Sequence, residues 1–285
     1  MKMKSNQIRE KGATKRMVCI VAGLVVLTAI AIAIYAAYSQ LRALWIDQCQ
    51  IVDVARQVKV HTGKHILPGV ILERFGLKKG ANLALIDFRG KREEILRDIP
   101  NIRELKVERH LPDRVEIAVE ERVPIARLRP ARGKVRLGGN VVDDEGVVFE
   151  RYKGINLLPE IICEGGIKNP IVAGKRLTGR TRAALSLLQL SRSARYLDMP
   201  VNVADTTPID FIKLVLGNND IVRIEWESMD EPTSATQDSL EKVYNQLYQA
   251  VKTKIATSSG PAPRPLVWTA IPGNQIYANT KEPIQ

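Results

Sequence analysis

The run Met17–Tyr38, MVCIVAGLVVLTAIAIAIYAAY, restricts what this chain can be more than any other segment. It has 22 residues and no Asp, Glu, Lys or Arg. About 20 such residues in a helix cross the hydrocarbon core of a bilayer. A cleaved secretory leader has an apolar stretch of only about 7–15 residues, so the expectation is an uncleaved transmembrane helix from Met17 to Tyr38. Residues 1–16 carry Lys2, Lys4, Arg9, Lys11, Lys15 and Arg16 against Glu10, a net +5. Basic flanks are retained in the cytoplasm. The N-terminus is therefore expected in the cytoplasm, and residues after 40 in the periplasm or another extracytoplasmic space. Tyr35 and Tyr38 fall at the outer interface, where aromatic rings collect. Ala29, Ala33 and Ala37 repeat every four residues, a spacing that permits close helix packing but also arises by chance in alanine-rich helices.

The whole chain has a net charge of +12. Such a balance suits nucleic acid or an anionic membrane surface. Outside the tail the remaining +7 is spread along the chain, and no zinc-finger or RNA-binding motif is present. The basic tail is thus expected to touch the lipid bilayer, and no nucleic-acid partner is expected. Cys19 lies in the apolar run, while Cys49 and Cys163 lie beyond it, where a disulfide is permitted. Nothing in their spacing pairs them, and two unpaired, partly buried thiols are expected.

Beyond the apolar run, residues 39–50 read as a juxtamembrane linker. QVKVHTG at 57–63 alternates like a strand. Pro68 suits a first helical turn; Ile71, Leu72 and Phe75 form an apolar stripe, and Gly76 ends it. A second helix is expected over 91–98, stopped by Pro100. Leu105 and Val107 alternate with charged residues, and so do Val115, Ile117 and Val119, with Leu111-Pro112-Asp113 as the turn. The order over 51–122 is β-α-α-β-β.

Residues 123–285 read as a mixed, mainly β domain with two helices. Val141-Val142 and Val147–Phe149 flank Asp143-Asp144-Glu145-Gly146, a hairpin signal. The acidic trio lacks the alternating ligands and distal glutamate of a calcium hand. Arg180–Leu197 is expected to be helical. Ile212, Leu214 and Leu216 alternate, then Val222, Ile224 and Trp226, across a turn at 217–220. Ser234–Ile255 carries apolar residues at helical spacing. TSSGPAPRP at 257–265 reads as a loop. A final strand pair is expected at Leu266–Ile271 and Gln275–Asn279, turning at Pro272-Gly273-Asn274. The fold class is therefore α+β.

Several short motifs stand in order behind the apolar run. They are Asn82-Leu83 with Asp87, Pro100-Asn101-Ile102, Val107–Pro112, Val115–Pro124, the Asp143–Gly146 hairpin and Leu158-Pro159. In this arrangement the stretch 51–161 resembles the FtsQ/DivIB family of cell-division proteins, and the β-α-α-β-β module resembles a POTRA domain. The resemblance implies a divisome scaffold in the cell inner membrane at the septum. It also implies other divisome membrane proteins as partners, and small single-pass coiled-coil partners of the FtsB/FtsL type held by a C-terminal edge strand and the preceding helix. The residues so implicated are Tyr244, Tyr248, Leu266, Val267, Trp268, Ile271, Ile276 and Tyr277. The same residues could instead close the core of their own domain. The family's Ile-Asp-Leu-Arg strand is here Leu266-Val267-Trp268-Thr269, without the Asp.

The motifs searched for catalysis are not met. Gly174–Thr181 approaches a phosphate loop, but Arg180 stands where the lysine must reach the phosphates. His61 and His65 lack the glutamate of a zinc protease and a converging third ligand. No Ser-x-x-Lys or Gly-x-Ser-x-Gly occurs. Glu120 and Glu121 fall on opposite faces of a strand, so they are not a glycosidase pair. No cofactor and no enzymatic activity are expected. Two other functions remain open: a POTRA-containing envelope protein assembly factor, and a membrane-anchored cell-wall hydrolase.

Overall fold

A computed structural model describes residues 24, 26–42, 44, 46–131, 139–154, 157–163, 171–225, 234–257, 266–270 and 276–279. Residues 26–42, with 24, 44 and 46–47, are helical (α1), and their apolar side chains up to Leu44 are exposed. Among the described residues no helix is long and apolar enough to cross a membrane. The expected span begins at Met17, and residues 17–23 and 25 lie outside the described ones.

Two compact units are found. The first takes Leu67–Arg92 and Lys106–Ala118 with the described residues up to His61. The second takes Thr62–Ile66, Glu93–Leu105 and the described residues from Val119 on.

The order β-α-α-β-β is present. A short α2 (Val54–Gln57) leads into β1 (Val58–His61), followed by α3 (Pro68–Phe75), α4 (Phe88–Asp98), β2 (Ile102–His110) and β3 (Arg114–Glu121). The three strands form a sheet in the order β1-β3-β2. β1 pairs parallel to β3, Val58 opposite Val115 and Val60 opposite Ile117. Two parallel neighbours cannot be joined by a tight turn, so the two helices lie in the connection. In the first unit Phe75 and Phe88 pack with ring centroids 5.5 Å apart. Gly76 ends α3 in the left-handed region at φ 72°, where a glycine carries no Cβ penalty. Helix α4 begins at Phe88, three residues before the expected start at 91. Asp87 supplies the reason: its Oδ1 accepts the Gly90 N–H at 3.0 Å, an N-cap that offsets the poor helix propensity of Gly90.

The second unit is built on a nine-stranded sheet. Its strands are β4 (Ala126–Pro130), β5 (Asn140–Val142), β6 (Val148–Glu150), β7 (Glu160–Cys163), β8 (Val201–Asp205), β9 (Phe211–Leu216), β10 (Ile221–Glu225), β11 (Val267–Ala270) and β12 (Ile276–Asn279). They lie in the order β12-β11-β10-β9-β8-β7-β4-β5-β6. Helices α5 (Gly179–Ser191) and α6 (Ser234–Thr257) share one core with the sheet. Ile212, Leu214 and Leu216 of β9 and Val222 and Ile224 of β10 enter that core, as their alternation requires.

Helix α5 stops at Ser191, short of the expected Leu197, and a 3-10 turn follows at Ala194–Tyr196. Ser191 Oγ donates to the Leu188 carbonyl at 2.8 Å, and Ser193 has left the helical region at ψ 151°. Short hydroxyl side chains compete in this way with helix continuation. The Asp143–Gly146 hairpin forms as expected, with Val142 opposite Val148 and Gly146 at φ 83°. Cys49 and Cys163 are buried and not joined by a disulfide. Trp226, the 258–265 part of the expected loop and the turn at 272–274 lie outside the described residues.

Candidate functional site

A sheet of nine strands has two edges, and they differ here. At β6 the edge is covered by the chain itself. The Val148 N–H donates to the Lys175 carbonyl at 2.9 Å, the Gly174 N–H donates to the Val148 carbonyl at 2.7 Å, and Val147 bridges Arg176. At β12 no further strand pairs on the outer side among the described residues. An edge left open offers a row of backbone donors and acceptors to another chain.

The position of β12 follows from a chain of local interactions. Residues Asn218-Asn219-Asp220 turn β9 back into β10, with Asn219 at φ 68°, a conformation asparagine tolerates. Asp220 is buried. Its Oδ1 accepts the Leu266 N–H at 3.0 Å and its Oδ2 accepts from Asn218 Nδ2 at 2.8 Å. The Ile221 N–H in turn donates to the Leu266 carbonyl at 2.8 Å. Leu266 is therefore held at both its amide and its carbonyl at the point where β11 enters the sheet. β11 then runs parallel to β10, Ile221 opposite Val267 and Val222 opposite Trp268. β12 returns antiparallel, with Ala270 opposite Ile276 and Thr269 opposite Tyr277.

Helix α6 packs behind this edge. Tyr244 Oη donates to the Met199 carbonyl at 2.9 Å, and Tyr248 Oη to Asp198 Oδ2 at 3.2 Å. Both rings stand nearly perpendicular to Tyr196, with centroids 5.1 Å away in each case. Edge-to-face pairs of this kind add to simple burial. Burial pushes the Tyr244 phenol well above its ordinary value. The Asp198 carboxyl is held below the usual range: desolvation opposes this, but the Tyr248 hydroxyl and the Lys252 ammonium at 3.3 Å outweigh it.

The eight residues implicated as partner contacts thus have distinct places. Tyr244, Tyr248, Leu266, Val267 and Trp268 are buried, and all but Val267 lie in the main core cluster. Tyr244, Tyr248, Leu266 and Trp268 thus fill the interior of their own domain. Ile276 is half-buried on β12 and packs against that core. Tyr277 stands on the edge strand in register with Thr269. Ile271 lies outside the described residues.

Sequence reasoning missed Asp220. The only signal was an Asn-Asn-Asp turn before an alternating strand, which shows a turn but not the remote amide it binds. A second group was also missed. Arg122 pairs with the buried Asp143 and approaches Glu145 at 3.5 Å, while Arg103 reaches Glu145 at 3.1 Å and Asp144 at 3.5 Å. Asp143 also accepts the Val147 N–H at 2.7 Å, within its own hairpin. The acidic trio is thus engaged by arginines. Among the described residues no group of His, Cys, Asp or Glu could hold a metal ion. His65 stacks on the Tyr152 ring at 4.0 Å.

No curated protein matches this chain. Residues 55–122 match the family described as POTRA domain, FtsQ-type. That range runs from α2 through β3 and contains the whole β1-β3-β2 sheet. Over residues 55–122 the chain therefore carries a POTRA domain of the FtsQ type.

Proposed function

We propose that this chain is a non-enzymatic scaffold of the division septum, anchored once in the cell inner membrane with its N-terminus in the cytoplasm. Its β12 edge captures a strand from a small single-pass coiled-coil partner of the FtsB/FtsL type. The observation that carries this reading is the asymmetry of the large sheet: the β6 edge is covered by residues 174–176, and among the described residues no strand covers the β12 edge. Strand addition at such an edge uses backbone hydrogen bonds for affinity and alternate side-chain positions for specificity. The FtsQ-type POTRA domain supports the cell-division setting. On this reading Tyr244, Tyr248 and Trp268 act by packing, which fixes the edge in place, and Ile276 and Tyr277 stand on the strand that meets the partner.

The test is a fluorescent fusion of the full chain in dividing cells of its native host. A sharp band at the constriction site is expected. A uniform envelope signal with normal division after depletion would count against the septal role and favour the assembly-factor or cell-wall hydrolase functions.

A further inference from the structure

The segment that follows α1 is tied into the first unit by a short ladder. The Cys49 carbonyl accepts the Leu83 N–H at 2.9 Å, the Ile51 N–H donates to the Ala81 carbonyl at 2.8 Å, and the Gly80 N–H donates to the Ile51 carbonyl at 2.8 Å. Gln50 and Asn82 form the bridge between these bonds. The Asn82 side chain closes the ladder: Nδ2 donates to the Ile46 carbonyl at 2.7 Å and Oδ1 accepts the Ala84 N–H at 2.9 Å. The loop Lys78-Lys79-Gly80 is exposed and directly adjoins this ladder. Val52 and Leu85, each 70% exposed, flank it on either strand of the ladder.

The distance to the apolar run is short. The described residues between Tyr38 and Ile46 are helical, and a helix advances about 1.5 Å per residue, so the Asn82 clamp lies ~12 Å beyond Tyr38. The headgroup layer extends about 5–8 Å past the hydrocarbon core. The lysines of the adjoining loop then stand within about one Debye length, ~8–10 Å, of the headgroups. Asp47, Asp53, Glu73 and Asp87 are the opposing charges nearby in sequence; Asp53 caps α2 through the Ala55 N–H at 3.0 Å and Asp87 caps α4 through the Gly90 N–H at 3.0 Å.

We propose that Lys78, Lys79, Val52 and Leu85 form a platform by which the first unit docks on an anionic phospholipid surface. The lysines attract the headgroups, and the two exposed apolar side chains enter the interfacial layer, as on interfacial protein surfaces. The proposal rests on Met17–Tyr38 being the membrane anchor. The Asn82 bond to the Ile46 carbonyl ties the platform to the end of α1.

The experiment uses the full chain with Cys19→Ala and an environment-sensitive fluorophore on Leu85→Cys. It is placed in nanodiscs of phosphatidylcholine alone, or of phosphatidylcholine mixed with phosphatidylglycerol and headgroup-proximal brominated lipid. Quenching and a blue shift are expected in the anionic discs. Occupancy of the docked state should fall about five-fold per lysine in Lys78→Glu and Lys79→Glu, and persist in Lys78→Arg/Lys79→Arg. A chain that incorporates fully, yet whose emission is the same in both discs and unmoved by charge reversal, overturns the platform and leaves the anchor standing. A chain that stays out of the discs overturns both.

Discussion

Asp220 and Arg122 show how single polar groups can govern a β-rich domain. Asp220 gives one buried carboxylate to two donors, and one of them is the amide of Leu266, the residue just before β11. Asp220→Ala leaves the Leu266 N–H without this acceptor and is expected to cost about 1–3 kcal/mol, read as a lowered midpoint in denaturant with an unchanged slope. Arg122 is 13% exposed and Asp143 only 1%, so Arg122→Ala leaves a buried charge uncompensated. The expected loss is about 3 kcal/mol, at the lower end for broken buried pairs because the arginine keeps some water contact. The Glu145 carboxyl beside them is held below the usual carboxylate range: desolvation works the other way, but Arg103 and then Arg122 prevail. Since the folded value is the lower one, its contribution is present above the unfolded value of about 4.3 and is lost as pH falls below it. Glu145→Gln should flatten the acid limb of a stability profile below about pH 4.3. Cys163 moves the other way. Burial, with Asp205, pushes its thiol up to about 11, so it should resist alkylation at neutral pH in the native state and react at once in denaturant.

At the scale of elements, the proposed function rests on the edge strand and the helix behind it. The proline test depends on strand order. Val267 sits in β11, which is paired on both sides, so Val267→Pro removes a ladder bond inside the sheet and should destabilise the domain. Tyr277 and Ala278 are consecutive residues on β12, and consecutive residues aim their N–H groups in opposite directions across an antiparallel pair. Of Tyr277→Pro and Ala278→Pro, one should lower the melting temperature and the other leave it unchanged. The second is expected to lose co-purification with a short anchored partner, and its retention of that partner would sink the edge hypothesis. Much of this was legible locally. Alternation over 211–225 gave β9 and β10, and helical spacing gave α6, because one buried face leaves a period in the residues. What the period cannot say is what covers that face. Tyr244 and Tyr248 read alike whether they meet Tyr196 within the chain or a partner outside it. Strand order is not local either: β4 lies between β7 and β5, and only that arrangement places β6 at one edge and β12 at the other. The early start of α4 was hidden for another reason, since the Asp87 cap reverses what Gly90 alone would suggest.

For the whole molecule, what matters is how the matched domain depends on the rest of the chain. Residues 55–122 match as a family unit, but Glu93–Leu105 and Val119–Arg122 belong to the second compact unit. Removing the matched domain would strip Arg103 and Arg122 from the acidic hairpin and leave Asp143 buried alone. Loss of recruitment in such a deletion would then report misfolding as readily as a lost docking surface, so point substitutions are the cleaner probe. The proposed anchor is open to that approach. Ile30 lies near the middle of Met17–Tyr38 and is exposed on α1. An arginine at the centre of a spanning helix costs about 2.5–3.5 kcal/mol on insertion scales, which lowers the insertion equilibrium constant roughly 70- to 400-fold. Ile30→Arg should therefore release part of the chain from alkali-washed membranes. Ile30→Leu should not, because its transfer energy is nearly the same. The same arginine placed at Tyr38, at the interface, should be tolerated, since its side chain can reach the headgroups. That contrast separates a membrane span from a helix merely packed against protein, which has no reason to distinguish the middle of the run from its end.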